Sequence, residues 1–341
     1  MNSKLLIFPI VLLCISSCEG NLIQSNVSES NIDNFEVFWH EFDQNYSYFT
    51  YKNVDWDSVY TRYRPLITEN LTEQQFFNIL AEISFLLKDG HVNVISPFGW
   101  ASYHRYREYA APTSNWVGVD VIQDNYVPDM SDFARIIFYG TLKSHDIGYI
   151  WLSNFSASEV VYRNIDTILD NFKNYRAVIV DVRNNGGGSN ANSSLISGRF
   201  TDERFLAEKV RYRNGPDHDD FSEWISGYIQ PAGPDPFLKP VAVLTNRNTA
   251  SSAEQFVLEM RVLPHVTVIG DSTAGSSGNP LVKELPNGWI CWISNWQSVT
   301  PEMKFYEDIG LAPDIPIWLT PEDSAAGQDV ILEQAVSMLT E

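Results

Sequence analysis

The chain has 341 residues, 44% of them hydrophobic and 13% aromatic, which is the make-up of a packed globular protein long enough for two full-sized cores and excludes a disordered chain. Its formal net charge of −20 disfavours nucleic acid and an anionic membrane surface as partners, and no basic run stands out against it.

At the N-terminus, Lys4 precedes an apolar run from Leu5 to Ile15, followed by Ser16, Ser17 and Cys18. A charged start, a short apolar core and a small-residue cleavage site make a signal peptide over residues 1–17, and the run is too short for a membrane span. A cysteine directly after two small residues resembles the lipobox of bacterial lipoproteins. That implies lipid attachment at Cys18 and anchoring in the cell envelope of a bacterium, on its periplasmic or outer-surface face. A plain secretory signal is the alternative. Cys14 would leave with the signal and Cys18 would be acylated. Cys291 is then left alone between Trp289 and Ile293, with no disulfide available, and reads as a buried strand residue.

Residues 18–31 are polar and read as a tether. Over 32–95 helical spacing dominates: Phe35, Phe38, Trp39 and Phe42 recur at three and four residues, as do Phe76, Ile79, Leu80, Ile83 and Leu87. This predicts a small N-terminal helical domain, in which Tyr46, Tyr48, Phe49 and Trp56 have packing roles. Residues 96–145 lack periodicity and read as connecting strands and linker. From 146 to 341 short β-rich runs alternate with helical ones, which predicts an α/β core of parallel strands with covering helices. The stretches 213–220 and 230–236 read as a long surface loop of the kind that shapes substrate access.

Three strings carry chemistry. Ser251 lies between the apolar run Val241 to Leu244 and a helical pattern, so it is placed where a serine can be a nucleophile beside unpaired helix N–H groups. Ser251 and Glu254 also fit a capping box, and on the local string capping is the commoner explanation. Asp181 to Gly188 follows a buried-strand pattern and ends in Gly186, Gly187 and Gly188, which can present N–H groups to an oxyanion or simply make a tight turn. It matches neither a dinucleotide nor a phosphate-binding glycine motif. Of six histidines, His91 is the best placed as a base, at the exit of a helix and before a strand-like run. Glu307 or its neighbour Asp308 could orient it. No histidine pair has metal-ligand spacing, and no cofactor is implied.

These strings, taken in order, resemble the serine peptidases of the C-terminal processing and tricorn-core family. The matching segments are 34–63, 87–94, 147–155, 178–188, 243–254, 269–275 and 307–315. The resemblance implies a core like the ClpP and crotonase folds, built of stacked strand-strand-helix units behind a helical domain. It also implies serine-type hydrolysis of peptides or unfolded protein segments through an acyl-enzyme. By motif position Ser251 is the nucleophile, and the backbone N–H groups of Ser252 and of a glycine in 186–188, Gly187 foremost, form the oxyanion hole. Processing-type members place a lysine after the Gly-x-x-Thr-x-Gly stretch, where this chain has Ser276. Tricorn-type members use a histidine supported by a serine and a glutamate, which maps to His91 and Glu307, although Gly90 stands where the supporting serine would be. Residues 96–145 are short and poorly matched for a PDZ module. The competing readings are a non-catalytic ligand-binding protein on the same fold and an esterase or other acyl-transfer hydrolase.

Overall fold

The structure, a computed structural model, describes residues 30–103 and 115–341. The signal, Cys18 and most of the tether lie outside the described residues. The first described segment is helical: α1 (Asn31–Asn45), α2 (Phe49–Lys52), α3 (Trp56–Tyr63) and α4 (Glu73–Leu86). Ser30 caps α1 by accepting the Asp33 N–H, and Thr72 with Gln75 forms a reciprocal capping box on α4. The aromatics at helical spacing point inward, with Phe35, Phe38, Phe42, Phe76 and Leu80 fully buried.

After α4 the chain enters β1 (Asn93–Ser96) and β2 (Gly99–Ser102), then α5 (Val119–Asn125), β3 (Ser131–Phe133), β4 (Ile137–Thr141) and β5 (Ile147–Leu152). Next come α6 (Glu159–Tyr162), α7 (Ile165–Phe172), β6 (Ala177–Asp181) and α8 (Asn190–Ser197), followed by β7 (Phe205–Tyr212) and β8 (Ile225–Ile229). The remainder is β9 (Val241–Thr245), α9 (Ser252–Arg261), β10 (Val266–Gly270), β11 (Pro280–Glu284), β12 (Ile290–Ser294), β13 (Trp296–Val299), β14 (Ile315–Pro316), α10 (Pro321–Ala326) and α11 (Val330–Thr340).

The central sheet runs β14-β10-β9-β6-β5-β4-β3, parallel from β14 to β5 and antiparallel across β4 and β3. Alternation along each strand assigns its two faces. Val178, Val180, Val241 and Val243 pack towards α7 and α9, whereas Ala177, Ile179, Ala242 and Leu244 pack towards α11. This is the expected α/β core behind a helical N-terminal region.

Two features depart from the linear reading. Residues 32–95 do not close their own core. Leu285, Trp289, Cys291 and Ile293 complete it, and β1 pairs with β12, so a late hairpin knits the helices to the rest of the molecule. Cys291 is buried there, as its apolar surroundings suggested. The expected long surface loop is interrupted by β8: residues 213–220 join β7 to β8 of a three-stranded sheet and are pinned to the helices, whereas 230–236 follow β8 as a largely exposed connector. Arg213 donates to the Tyr46 carbonyl at 2.9 Å, and His218 Nε2 lies 2.8 Å from Asp43. Among 115–145, β3 and β4 extend the central sheet.

Candidate active site

The parallel strands β6 and β9 end side by side, so the turns that follow them meet. The turn after β9 is held from within by the Asn246 N–H on Thr249 Oγ1 (3.1 Å), and from β6 by Thr249 Oγ1 on the Val182 carbonyl (2.9 Å). At its end Ser251 has φ 57° and ψ −125°, a conformation that L-residues avoid, and α9 starts at the next residue. Such a strained strand-to-helix elbow lifts a side chain clear of the backbone.

His91 comes from a different element. The turn between α4 and β1 is tightened by Asp89, whose Oδ1 accepts the His91 N–H at 2.8 Å. This projects the imidazole onto the elbow, with Nε2 3.0 Å from Ser251 Oγ across 160 residues of sequence. Burial pulls the His91 pKa below its ordinary 6.5; Asp89 raises it and the Lys52 ammonium lowers it further.

Glu307 is buried, while its rival Asp308 is partly exposed. The Glu307 carboxylate accepts the Ser277 N–H (2.7 Å) and hydroxyl (2.8 Å), and faces Lys52 Nζ at 3.0 Å. Among the described residues no hydrogen bond joins it to His91, and His91 Nδ1 has no hydrogen-bond partner. The expected carboxylate therefore engages Ser277 and Lys52 rather than the histidine, and the carboxylate whose charge acts on the ring is Asp89. Tyr48 completes the cluster, its hydroxyl 2.7 Å from Ser277 Oγ. Tyr48 and Lys52 come from the helical segment, and aromatic spacing alone had left Tyr48 as packing.

The glycine run approaches the serine as closely as glycine permits. At Gly187, with φ +93°, a Cβ would lie 2.7 Å from Ser251 Cβ. Its N–H, however, is donated to Asn185 Oδ1 at 2.9 Å, which corrects the expectation that Gly187 offers it to the site. Gly188 is placed differently. Phe155 bridges to Gly187 O and Ser189 N, so Gly188 turns its own polar groups away from Phe155, and its carbonyl accepts the Ser252 hydroxyl at 2.7 Å.

Glu254 has a larger part than a helix cap. It is fully buried and accepts from the N–H groups of Ser251 (3.1 Å), Gly275 (2.8 Å) and Ser276 (2.8 Å) and from the Thr273 hydroxyl. It thereby ties the elbow to the loop that follows β10. Two cavities meet at His91 and Ser251. One, of about 560 Å³, is bordered by Lys88 and Arg247; the other, of about 630 Å³, is bordered by Trp296 and Glu208.

The sequence profile of peptidase family S41 matches residues 146–317, and that of the tricorn protease C1 domain matches residues 30–84. A crystal structure of a protein from Parabacteroides merdae, assigned as a peptidase, is 36% identical with a TM-score of 0.83, over 92% of this chain and 98% of that one. This chain belongs to peptidase family S41. The chain is also similar to the carboxy-terminal processing protease CtpA of Bacillus subtilis, 26% identical over 180 residues, which are 52% of this chain and 36% of that protein. A lipoprotein of Streptococcus agalactiae, at 18% identity and a TM-score of 0.61 over 89% of this chain and 98% of that one, shares the fold. The chain spans about a third of the length of the curated relatives it matches.

Proposed function

We propose that this S41 protein is a serine-type endopeptidase that hydrolyses peptides or unfolded protein segments through an acyl-enzyme. The observation that carries the reading is the 3.0 Å approach of His91 Nε2 to Ser251 Oγ on a strained elbow. His91 Nε2 takes the hydroxyl proton as Ser251 Oγ bonds to the substrate carbonyl carbon. The oxyanion is received by the N–H groups of Ser252 and, in place of Gly187, Gly188. His91 then returns the proton to the leaving amine as the C–N bond breaks. Water, deprotonated by the same nitrogen, cleaves the ester and frees Ser251. Glu307 serves at one remove, holding Ser277 and Lys52 beside the histidine.

The test is labelling of mature protein with a fluorophosphonate, located by peptide mass spectrometry. Wild type should be labelled at Ser251, and Ser251→Ala and His91→Ala should not. Labelling that survives in His91→Ala would sink the mechanism. We further propose that the mature chain is held to the cell envelope of a bacterium by lipid on Cys18. No described helix is long and apolar enough to cross a membrane. Radiolabelled palmitate should enter wild type and not Cys18→Ala, and incorporation into the variant would refute the anchor.

A further inference from the structure

The second cavity at Ser251 has a feature that the acyl-enzyme chemistry does not use. Glu208, on β7, lines it and is only 9% exposed. Its Oε2 accepts the Ser298 hydroxyl at 2.9 Å, and Tyr306 donates to the same Ser298 oxygen at 3.1 Å. Among the described residues no lysine, arginine or histidine pairs with it. Room for it is kept by Gly227 on β8, where a Cβ would lie 2.6 Å from Glu208 Cγ. The ionisable groups acting on it are Glu259 from α9, with Tyr212 on β7 and Tyr306 on the other side. Burial pushes its carboxyl up to about 7, Ser298 opposes this and Glu259 adds to it. A buried carboxylate with no cation of its own is a poor structural element, because the single Ser298 hydroxyl replaces only part of its lost hydration. The same cavity is walled by Trp292, Trp296 and Tyr306, surfaces along which a long aliphatic stem and its cationic end can lie.

We infer that Glu208 is the floor of a substrate subsite beside Ser251 that selects peptides placing a basic side chain, arginine or lysine, in this cavity. The inference rests on the peptidase reading but is tested apart from turnover. Fluorescein-labelled tetrapeptides ending in arginine, lysine or leucine are titrated into Ser251→Ala protein and followed by fluorescence polarisation. Near pH 8 a basic peptide should bind at least about tenfold tighter than the leucine peptide. The ratio should fall to about one in Ser251→Ala/Glu208→Gln. With Glu208 intact it should shrink as the pH is lowered to about 6, because the carboxyl gains its proton through that range. The pH arm needs no second substitution and so does not depend on the folding of the double variant. Equal binding of all three peptides, no binding of the basic ones, or a preference that persists in the double variant overturns the subsite. If the preference holds while wild type hydrolyses none of a broad peptide set, the peptidase reading fails and the subsite stands.

Discussion

Ser251 satisfies two descriptions that compete at the level of the local string. Glu254 does accept the Ser251 N–H, as a capping box requires, but three further donors from Thr273, Gly275 and Ser276 converge on that carboxylate. Replacing Glu254 with Ala would orphan these donors, at about 1–3 kcal/mol for each that stays buried, and would loosen the elbow. The expected result is a fall of at least about tenfold in the fluorophosphonate labelling rate together with a lower melting temperature. A variant that labels at the wild-type rate would show that the elbow holds itself. The acid limb of the labelling rate belongs to the same scale. An imidazole acts as a base only when neutral, and the His91 pKa is lowered, so under the proposed mechanism the rate should hold as pH falls through 6.5 and drop only below it. Lys52→Met removes a charge that lowers the His91 pKa and should move the limb upward. An unmoved limb would separate Lys52 from the histidine.

At the scale of elements, the site exists because two turns at the ends of parallel strands approach within the thickness of a glycine. Gly187→Ala puts a methyl 2.7 Å from both the Ala250 carbonyl oxygen and Ser251 Cβ, at a φ of +93°. It should cost roughly 1–3 kcal/mol in strain, read by urea denaturation, and slow labelling by more than the Glu254 change. Full activity would mean that the glycine run is an ordinary turn. The run was legible as a sharp bend near the site, but which N–H faces inward was not. That depends on Asn185, fixed to the Leu152 carbonyl 33 residues away, capturing Gly187, and on Phe155 bridging across to Gly188.

Across the whole molecule, the end of β6 is clamped to the C-terminal helix by buried charge. Arg183 pairs with Asp181 at 2.6 Å and Asp329 at 2.8 Å, all fully buried. Arg183→Met would leave two carboxylates buried without their cation, and a loss of about 3–5 kcal/mol is expected in equilibrium unfolding. A change below about 1 kcal/mol would show that the carboxylates are neutral or hydrated there. The helical segment is likewise no separate unit. It receives Trp289 and Cys291 into its core and returns Tyr48 and Lys52 to the site.

What the sequence determined alone follows from periodicity and from short strings whose chemistry is local. The amphipathic helices, the buried strands, the elbow serine and the turn histidine are each encoded within a few neighbouring residues. Family order among those strings then tied Ser251 to His91 and Glu307. Only the tertiary structure decided the pairings that cross the chain. These are His91 on Ser251 over 160 residues, Glu307 on Ser277 and Lys52 rather than on the imidazole, and Glu208 facing the same cavity from a strand with no motif. Hydrogen bonds and buried charges act over a few ångströms in space, and sequence separation carries no information about which distant groups packing will bring within that range.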